Sequence, residues 1–262
     1  MDLGLNGKSA LVLASSGGLG RATALAFARE GANVTLFARR EAETRDAQQE
    51  IKTQTGRDAH VVIGDLTKAA DIQRAVDEAA VKFGRLDILV NNCGGPPAGT
   101  FDSFDDATWQ AAFELTLLSY VRATRAALPH LRKAGRGWII NFVSTSVKSP
   151  IDLLLLSNTF RMGVVGLTKT LANEVGPQGI IVNALGPGRI FTDRIAQLDG
   201  ARAKKAGTSP EQVRAETSKQ IPLGRYGEPD EFARAAVFLC SPANSYISGQ
   251  TLLVDGGMVK AY

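Results

Sequence analysis

Three polar residues, Ser144, Ser157 and Arg161, are the first candidates for chemistry in this sequence. Ser157 and Arg161 lie four residues apart in SNTFRMGVVGLTKTLA (157–172), a helical pattern that puts both side chains on one face. A serine hydroxyl is a far weaker acid than a phenol, whereas a guanidinium stays charged and can bind hydroxyls or an acidic substrate. With Ser146 nearby, these groups suit a site that stabilises negative charge on oxygen, although helix capping and solvation would explain them too.

A glycine-rich turn follows the first apolar segment, in ASSGGLGRATALAFA (14–28). Its three glycines allow the backbone to approach a pyrophosphate, and the helix that begins near Leu19 directs its positive end at that anion. Arg39 and Arg40 stand after the second apolar segment, where a carboxylate would hold the ribose of NAD, and two arginines can instead bind a 2′-phosphate. The pattern favours NADP(H) over NAD(H); a turn without a ligand and two solvated arginines are the alternatives.

Strands and helices alternate along the whole chain. Seven apolar segments predict buried strands, at residues 10–14, 33–37, 60–63, 86–90, 137–143, 180–185 and 251–255. Helical patterns separate them, at residues 19–30, 41–55, 68–83, roughly 105–133, 157–175 and 229–240. This alternation predicts an α/β fold, a single-domain doubly wound (Rossmann) seven-stranded parallel sheet with helices on both faces, over residues 1–262. Such sheets bind ligands at the carboxyl ends of their strands.

The segment 189–222 interrupts the alternation, because it has helical patterning and no strand. An insertion after the sixth strand would overhang the carboxyl edge of the sheet. We interpret it as a substrate lid, with a packed surface subdomain as the alternative.

Composition excludes several classes of function. The net charge of +4 is mild and the basic residues alternate with acids, so we expect no nucleic-acid partner. No apolar run approaches the ~20 residues that span a bilayer, and the N-terminus lacks the pattern of a secretion signal. Cys93 and Cys240 are far apart and form no metal or redox pair. We therefore expect a cytoplasmic protein without a metal or a membrane partner.

Five motifs in the same order carry a resemblance to a known family. They are ASSGGLG (14–20), GDLT (64–67), NNCGG (91–95), GPGRIFTD (186–193) and IPLGRYGEPDEFARAAVFLCSPANSYISGQTLLVDGG (221–257). Together they resemble the short-chain dehydrogenase/reductase family over nearly the whole chain, and most of all its 3-oxoacyl-carrier-protein-reductase-like branch. One departure lies in the phosphate turn, where Leu13 and Ala14 occupy places that the family commonly gives to threonine and glycine.

The resemblance implies a set of cofactor contacts along the sheet edge. The implied residues are Ser15, Ser16, Gly18, Leu19, Gly20, Arg39, Arg40, Asp65, Leu66, Asn91, Cys93, Gly94, Arg161, Pro187, Gly188, Ile190 and Thr192. Asp65 and Leu66 would contact adenine, and Pro187 to Thr192 would cradle the nicotinamide. Asp65 also suits a helix N-cap, Asn91 would also tie strands together, and Cys93 suits plain packing.

The resemblance also implies a catalytic register in which most residue types have changed. The family uses a serine, a tyrosine thirteen residues later, a lysine four beyond, and an asparagine on the preceding long helix. Counting back from GLTKTLA (166–172) places Ser144 at the serine, Ser157 at the tyrosine and Arg161 at the lysine; Thr116 occupies the asparagine place. Ser146 is the alternative serine. Tyr120, one turn after Thr116, either approaches the site or packs between helices.

These observations leave three hypotheses about function. The first is an NADP(H)-linked oxidoreductase that interconverts a carbonyl and an alcohol on a small apolar molecule, since four leucines lie in the loop 148–158. In it, Ser144 binds the substrate oxygen, Ser157 relays a proton through water, and Arg161 holds the ribose. The second is an NADP(H)-binding sensor or scaffold without turnover, and the third is non-redox proton chemistry. By resemblance we expect a homotetramer.

Overall fold

A seven-stranded parallel sheet forms the centre of the molecule in a computed structural model that describes residues 2–261. The strands lie in the order β3-β2-β1-β4-β5-β6-β7, and every neighbouring pair is parallel. Their bounds are β1 Ser9–Leu13, β2 Asn33–Ala38, β3 His60–Ile63, β4 Ile88–Asn91, β5 Gly137–Phe142, β6 Ile180–Pro187 and β7 Thr251–Val254. The predicted doubly wound sheet is confirmed.

Nine α-helices lie among the described residues, and helices cover both faces of the sheet. They are α1 Gly18–Arg29, α2 Glu41–Thr55, α3 Ala69–Phe83, α4 Asp106–Phe113, α5 Ser119–Lys133, α6 Leu155–Val175, α7 Asp193–Ala206, α8 Pro210–Lys219 and α9 Pro229–Leu239. The predicted single helix over 105–133 is wrong in one respect, because a π-helical turn at Glu114–Leu118 separates α4 from α5. Among residues 2–261, none of the helices combines the length and apolar character needed to cross a bilayer.

Alternation along each strand feeds two separate cores. In β1, Ala10 and Val12 pack with α1 and α9 on one face, whereas Leu11 and Leu13 pack with α3, α5 and α6 on the other. Because both faces of the sheet are covered, the strands read as continuous apolar runs rather than as alternating polar and apolar residues.

The chain reverses its direction of winding between β1 and β4. Strands β2 and β3 lie on one side of β1, and strands β4 to β7 lie on the other. The helices that follow β1 and β4 therefore leave on opposite faces, which opens a crevice at the carboxyl ends of these two strands.

The segment 189–222 contains α7 and α8, which pack against each other. The buried carboxylate of Asp199 in α7 connects this segment to the chain that follows it. It accepts a hydrogen bond from Tyr226 Oη at 3.0 Å and lies 3.7 Å from Arg189 Nη1. Arg214 stacks over the rings of Phe191 and Tyr226. The interpretation as a lid stays a prediction, and the first turn of α7 does line the cleft described next.

Candidate active site

A cleft of about 480 Å³ runs along the carboxyl edge of the sheet. It is lined by the segments that follow β1, β2, β3, β4, β5 and β6, and by the first turn of α7. Four interstrand spacings separate β2 from β6, which is about 19 Å along the edge. The cleft is thus long and narrow, with a different chemistry at each end.

The middle of the cleft is the turn between β1 and α1. The N-terminus of α1 carries no side-chain cap and no acidic residue in its first turn, so its free N–H groups are available to an anion. Gly20 packs so closely that a Cβ there would meet the Ala14 carbonyl and lie 2.8 Å from Asn92 Nδ2. Gly18 has φ +52°, which glycine adopts without strain. The turn fits a pyrophosphate.

Ala14 adopts the left-handed conformation, with φ +48°, at the place where the family commonly has glycine. For a residue with a Cβ this conformation costs about 1–2 kcal/mol. We expect Ala14→Gly to leave the free energy of unfolding unchanged or to raise it by up to about 1 kcal/mol, because relief of strain offsets the greater entropy of the unfolded glycine chain. Urea denaturation measures this change.

The control for this prediction is Ala22→Gly, in the middle of α1. Glycine has no strain to relieve there, and we expect a loss of about 1 kcal/mol. If the two substitutions destabilise the protein equally, the strain at Ala14 is not real.

Arg39 and Arg40 form the first end of the cleft, and both guanidinium groups are largely exposed. Arg40 pairs with Glu43 at 2.8 Å, and Arg39 faces Asp65 at 3.9 Å. Burial acts to raise the pKa of Asp65, but hydrogen bonds from Thr67 and the charge of Arg39 outweigh it, so the pKa is lowered and the carboxylate is ionised. This end therefore offers two exposed cations beside one partly buried anion.

Arg161 forms the floor of the opposite end. It projects from α6, is 6% exposed, and lines the cleft between Cys93 and Phe142. Its Nη1 donates to the Phe142 carbonyl at 2.6 Å and to Tyr120 Oη at 2.8 Å, and its Nη2 donates to Cys93 Sγ at 3.3 Å. Arg161 therefore places a guanidinium at this end of the cleft, as the sequence predicts.

Tyr120 packs beneath the cleft and does not line it. Its ring is fully buried and its hydroxyl donates to the Phe142 carbonyl at 2.9 Å. Burial raises the pKa of the phenol despite the opposing charge of Arg161, so the group does not release its proton in the working range. Tyr226 is bonded to Asp199 and Tyr246 is exposed. Among residues 2–261, no tyrosine lines the cleft.

Ser144 lies two residues after the end of β5 and is half-buried. It does not itself line the cleft, whereas its neighbour Val143 does. Its Oγ accepts a hydrogen bond from the Ser146 backbone N–H at 3.1 Å. A hydroxyl that accepts in this way keeps its own proton free to donate. Ser146, the alternative serine, is buried and its Oγ has no hydrogen-bond partner among the described residues.

The other two changed positions, Ser157 and Thr116, lie outside the cleft lining. Ser157 is half-buried on α6, and no side-chain hydrogen bond of it occurs among the described residues. Thr116 is fully buried in the π-helical turn, and its Oγ1 has no partner there either. Single π-helical turns are frequent at functional sites, and an orphaned buried hydroxyl is a place for an ordered water.

Comparison with known proteins places the chain among reductases. A family model described as enoyl-(acyl carrier protein) reductase matches residues 13–259. The short-chain reductase protein NovJ of Streptomyces niveus is 34% identical over 248 residues, which cover 95% of this chain and 92% of NovJ. The chain belongs to the short-chain dehydrogenase/reductase family. The members it matches are NAD(P)-dependent oxidoreductases, and this chain is an enzyme of that kind.

Two further relatives refine the position within the short-chain dehydrogenase/reductase family. The 3-oxoacyl-[acyl-carrier-protein] reductase FabG of Aquifex aeolicus is 33% identical to this chain. The matched region covers 98% of this chain and 100% of FabG. The solved L-sorbose reductase of Gluconobacter frateurii, complexed with NADPH and L-sorbose, superimposes with a TM-score of 0.95 at 33% identity, over 100% of both chains. The resemblance to the 3-oxoacyl-carrier-protein-reductase-like branch is confirmed.

Most residues that the short-chain dehydrogenase/reductase resemblance implies for the cofactor do line the cleft. They are Ser16, Gly18, Leu19, Arg39, Arg40, Asp65, Leu66, Cys93, Gly94, Arg161, Pro187, Gly188, Ile190 and Thr192. Three others do not line it and serve the fold instead. Ser15 Oγ accepts from the Phe37 N–H and ties β1 to β2, Gly20 allows close packing, and Asn91 donates to Asn141 and Thr124.

Several lining residues escaped the sequence interpretation. They are Asn92, Gly95, Leu115, Phe142, Val143 and Arg194. Asn92 donates to the carbonyls of Leu13 and Ala14, and so holds the phosphate turn against the loop after β4. Its place in NNCGG was a signal that could have identified it. Leu115 and Val143 carried no such signal, because only the packing of the helices shows which apolar residues face the ligand.

Proposed function

We propose that this enzyme is NADP(H)-linked and interconverts a carbonyl and an alcohol on a small apolar molecule. The observation that carries the proposal is the cleft itself, with two exposed arginines at one end and a buried guanidinium at the other, on either side of an uncapped helix N-terminus. Along a 2′-phosphorylated dinucleotide, the 2′-phosphate, the pyrophosphate and the second ribose follow one another in the same order as these three features of the cleft.

The residues present fit this cofactor. Arg39 and Arg40 would hold the 2′-phosphate, and the N–H groups at the start of α1 would hold the pyrophosphate. Ile190 and Thr192 would enclose the nicotinamide beside the ends of β5 and β6. When bound, the cofactor supplies hydride to a carbonyl carbon or accepts hydride from an alcohol. An NADPH complex of the similar L-sorbose reductase supports the phosphorylated form.

Ser144 and Arg161 would handle the negative charge of the reaction. Hydride transfer to a carbonyl builds charge on oxygen, and a preplaced donor stabilises that charge. Because Ser144 Oγ accepts from the Ser146 N–H, its hydroxyl proton is directed away from that bond and is available to the substrate oxygen. Arg161 adds a permanent positive charge at the floor of the same end.

Proton transfer would depend on water rather than on a phenol. Since none of the tyrosines within residues 2–261 lines the cleft, Ser157 would pass a proton through an ordered water. The unpaired Thr116 hydroxyl gives such a water a further partner. A relay through aliphatic hydroxyls lacks a group whose pKa lies near the working pH, so we expect turnover to be slow for this family.

The substrate end of the cleft is apolar. Leu115, Phe142, Val143 and Ile190 line it. The leucine-containing loop 148–158 is tied to the segment after β4, since the Gly99 N–H donates to the Leu153 carbonyl at 2.6 Å, and Leu153 is 49% exposed. Leu156 is buried in the fold, so only part of the loop is free to contact a ligand. These surfaces support an acyl or ring-bearing substrate.

The proposal is tested by incubating the protein with NADPH and a panel of aliphatic and cyclic ketones. We expect one class of ketone to consume NADPH and to yield the alcohol in equal amount. Tight binding of NADPH without product from any ketone would overturn the redox function and favour a sensor or scaffold.

We also propose that the protein is a homotetramer. The edge strand β7 and the loop before it expose Leu252, Ile247 and Tyr246, the last at 98%. An apolar sheet edge of this kind is normally covered by another chain. Sedimentation velocity should give a tetramer, and a monomer at micromolar concentration would refute the proposal.

A further inference from the structure

Arg161 is a buried cation without an acidic partner. No aspartate or glutamate of residues 2–261 forms an ion pair with it, although the side chain is 6% exposed. Its neighbours are a phenol, a backbone carbonyl and a thiol. A guanidinium buried in this way is expensive, and apolar residues of similar volume usually stabilise a fold at least as well. Stability of the fold does not explain its presence.

The hydrogen bonds of Arg161 leave part of the guanidinium unused. A guanidinium has five N–H donors. Both N–H groups of Nη1 are taken by Tyr120 Oη and the Phe142 carbonyl, and one N–H of Nη2 is directed at Cys93 Sγ. The Nε–H and the second Nη2–H have no partner among the described residues, and the side chain lines the cleft. The free donors and the uncompensated charge lie together at the cleft floor.

We propose that Tyr120 is a positioning residue, whose hydroxyl holds the Arg161 guanidinium so that its two free N–H groups face the nicotinamide-side ribose of the cofactor. The inference rests on the proposed cofactor. Tyr120 accepts from Nη1 at 2.8 Å while donating to the Phe142 carbonyl at 2.9 Å, so the phenol, the carbonyl and the guanidinium form a closed triangle. The ring also lies 5.8 Å from the guanidinium carbon.

A guanidinium that is already held in place loses less side-chain entropy on ligand binding than a freely rotating one. An arginine side chain loses about 2 kcal/mol of rotamer freedom when it is fixed, and the triangle takes that loss during folding rather than during ligand binding. A vicinal diol can accept two parallel N–H bonds from the fixed fork. Cys93 Sγ is a weak acceptor for Nη2 on the other side of the guanidinium. It fills space that a smaller side chain would leave empty.

The experiment compares two ligands that differ at this end only. NADPH contains the nicotinamide ribose, whereas adenosine 2′,5′-bisphosphate ends before it. We expect Tyr120→Phe to weaken NADPH binding about fivefold, which is the typical net contribution of one hydrogen bond, and to leave binding of the bisphosphate unchanged. Arg161→Met should weaken NADPH more strongly, again without affecting the bisphosphate. In the Arg161→Met background, Tyr120→Phe should have no further effect.

Controls keep the outcome decisive. Ser241→Ala removes a buried hydroxyl that donates to the Phe238 carbonyl, outside the cleft lining, and should leave the ratio of the two affinities unchanged. If Tyr120→Phe does not fold, Cys93→Ala replaces it, with a smaller shift of the ratio in the same direction. Equal losses for both ligands, or an unchanged ratio, would overturn the positioning role.

The two proposals fail differently. A shifted ratio in a protein that reduces no ketone would refute the redox function alone. Turnover with an unchanged ratio would refute the role of Tyr120 alone, and absence of NADPH binding would refute both.

Discussion

Replacing Arg39 and Arg40 together by serine is expected to weaken NADPH binding about 100-fold and to leave NADH binding nearly unchanged. Each arginine can form a charge-assisted hydrogen bond to a 2′-phosphate, which contributes about 1.5–3 kcal/mol in a protected site and less at an exposed one. Both guanidinium groups are more than half exposed, so we use the lower part of that range. Fluorescence titration with each nucleotide measures the effect.

The control removes the same charge elsewhere. Arg29 and Arg45 are exposed and pair with Asp230 and Glu41, away from the cleft. Their double serine variant should bind NADPH as the unaltered protein does, apart from a small long-range effect that salt screens. An equal loss for NADPH and NADH in the Arg39 and Arg40 variant would show that the arginines do not select the 2′-phosphate.

The second large effect is expected for Ser144→Ala, which should lower kcat about 100-fold without changing the affinity for NADPH. Loss of one donor to a developing oxyanion typically has this magnitude. The hydroxyl also accepts from the Ser146 N–H, so the alanine variant should lose about 1 kcal/mol of stability as well. Ser144→Thr keeps a hydroxyl and should retain most of the activity. Steady-state kinetics with the best ketone measures both variants.

Ser146→Ala is the matched comparison. Its hydroxyl is buried and unpaired, and so its removal should not destabilise the fold. If Ser146→Ala abolishes turnover and Ser144→Ala does not, the roles of the two serines are reversed.

The fold could be predicted almost entirely from local patterns. The seven strands begin and end within about two residues of the apolar segments, because a strand buried on both faces is a continuous apolar run. The π-helical turn around Thr116 could not be predicted, since the helical pattern continues through it. Packing against α6, which only the tertiary structure provides, accompanies the changed hydrogen bonding there.

The lining of the cleft at the end of Arg39 and Arg40 was predictable, and the lining at the end of Arg161 only in part. Glycines and arginines at strand ends have few other reasons to occur together, and Gly18, Arg39 and Arg40 do line the cleft; their binding of a cofactor stays a prediction. Ser15 and Asn91 belong to the same motifs but bond within the fold. A motif records both kinds of residue alike, and only the direction of the side chain separates them.

The partners of Arg161 illustrate why the remainder required the structure. Tyr120 lies 41 residues earlier and Cys93 lies 68 residues earlier, and no spacing in the sequence connects the three. Tyr120 was open to two readings, an approach to the site or packing between helices. The Tyr120 ring packs between helices, yet its hydroxyl contacts Arg161 at the cleft floor. Packing and an approach to the site were therefore not exclusive alternatives.

We propose that this cleft transfers hydride although no phenol of the described part of the chain, residues 2–261, lines it. The most direct measurement uses NADPH deuterated at the transferable position of the nicotinamide, with mass analysis of the alcohol formed. We predict one deuterium at the former carbonyl carbon, a slower reaction than with unlabelled NADPH, and almost no product with Ser144→Ala. Recovery of the ketone and of fully labelled NADPH from every incubation would contradict the claim.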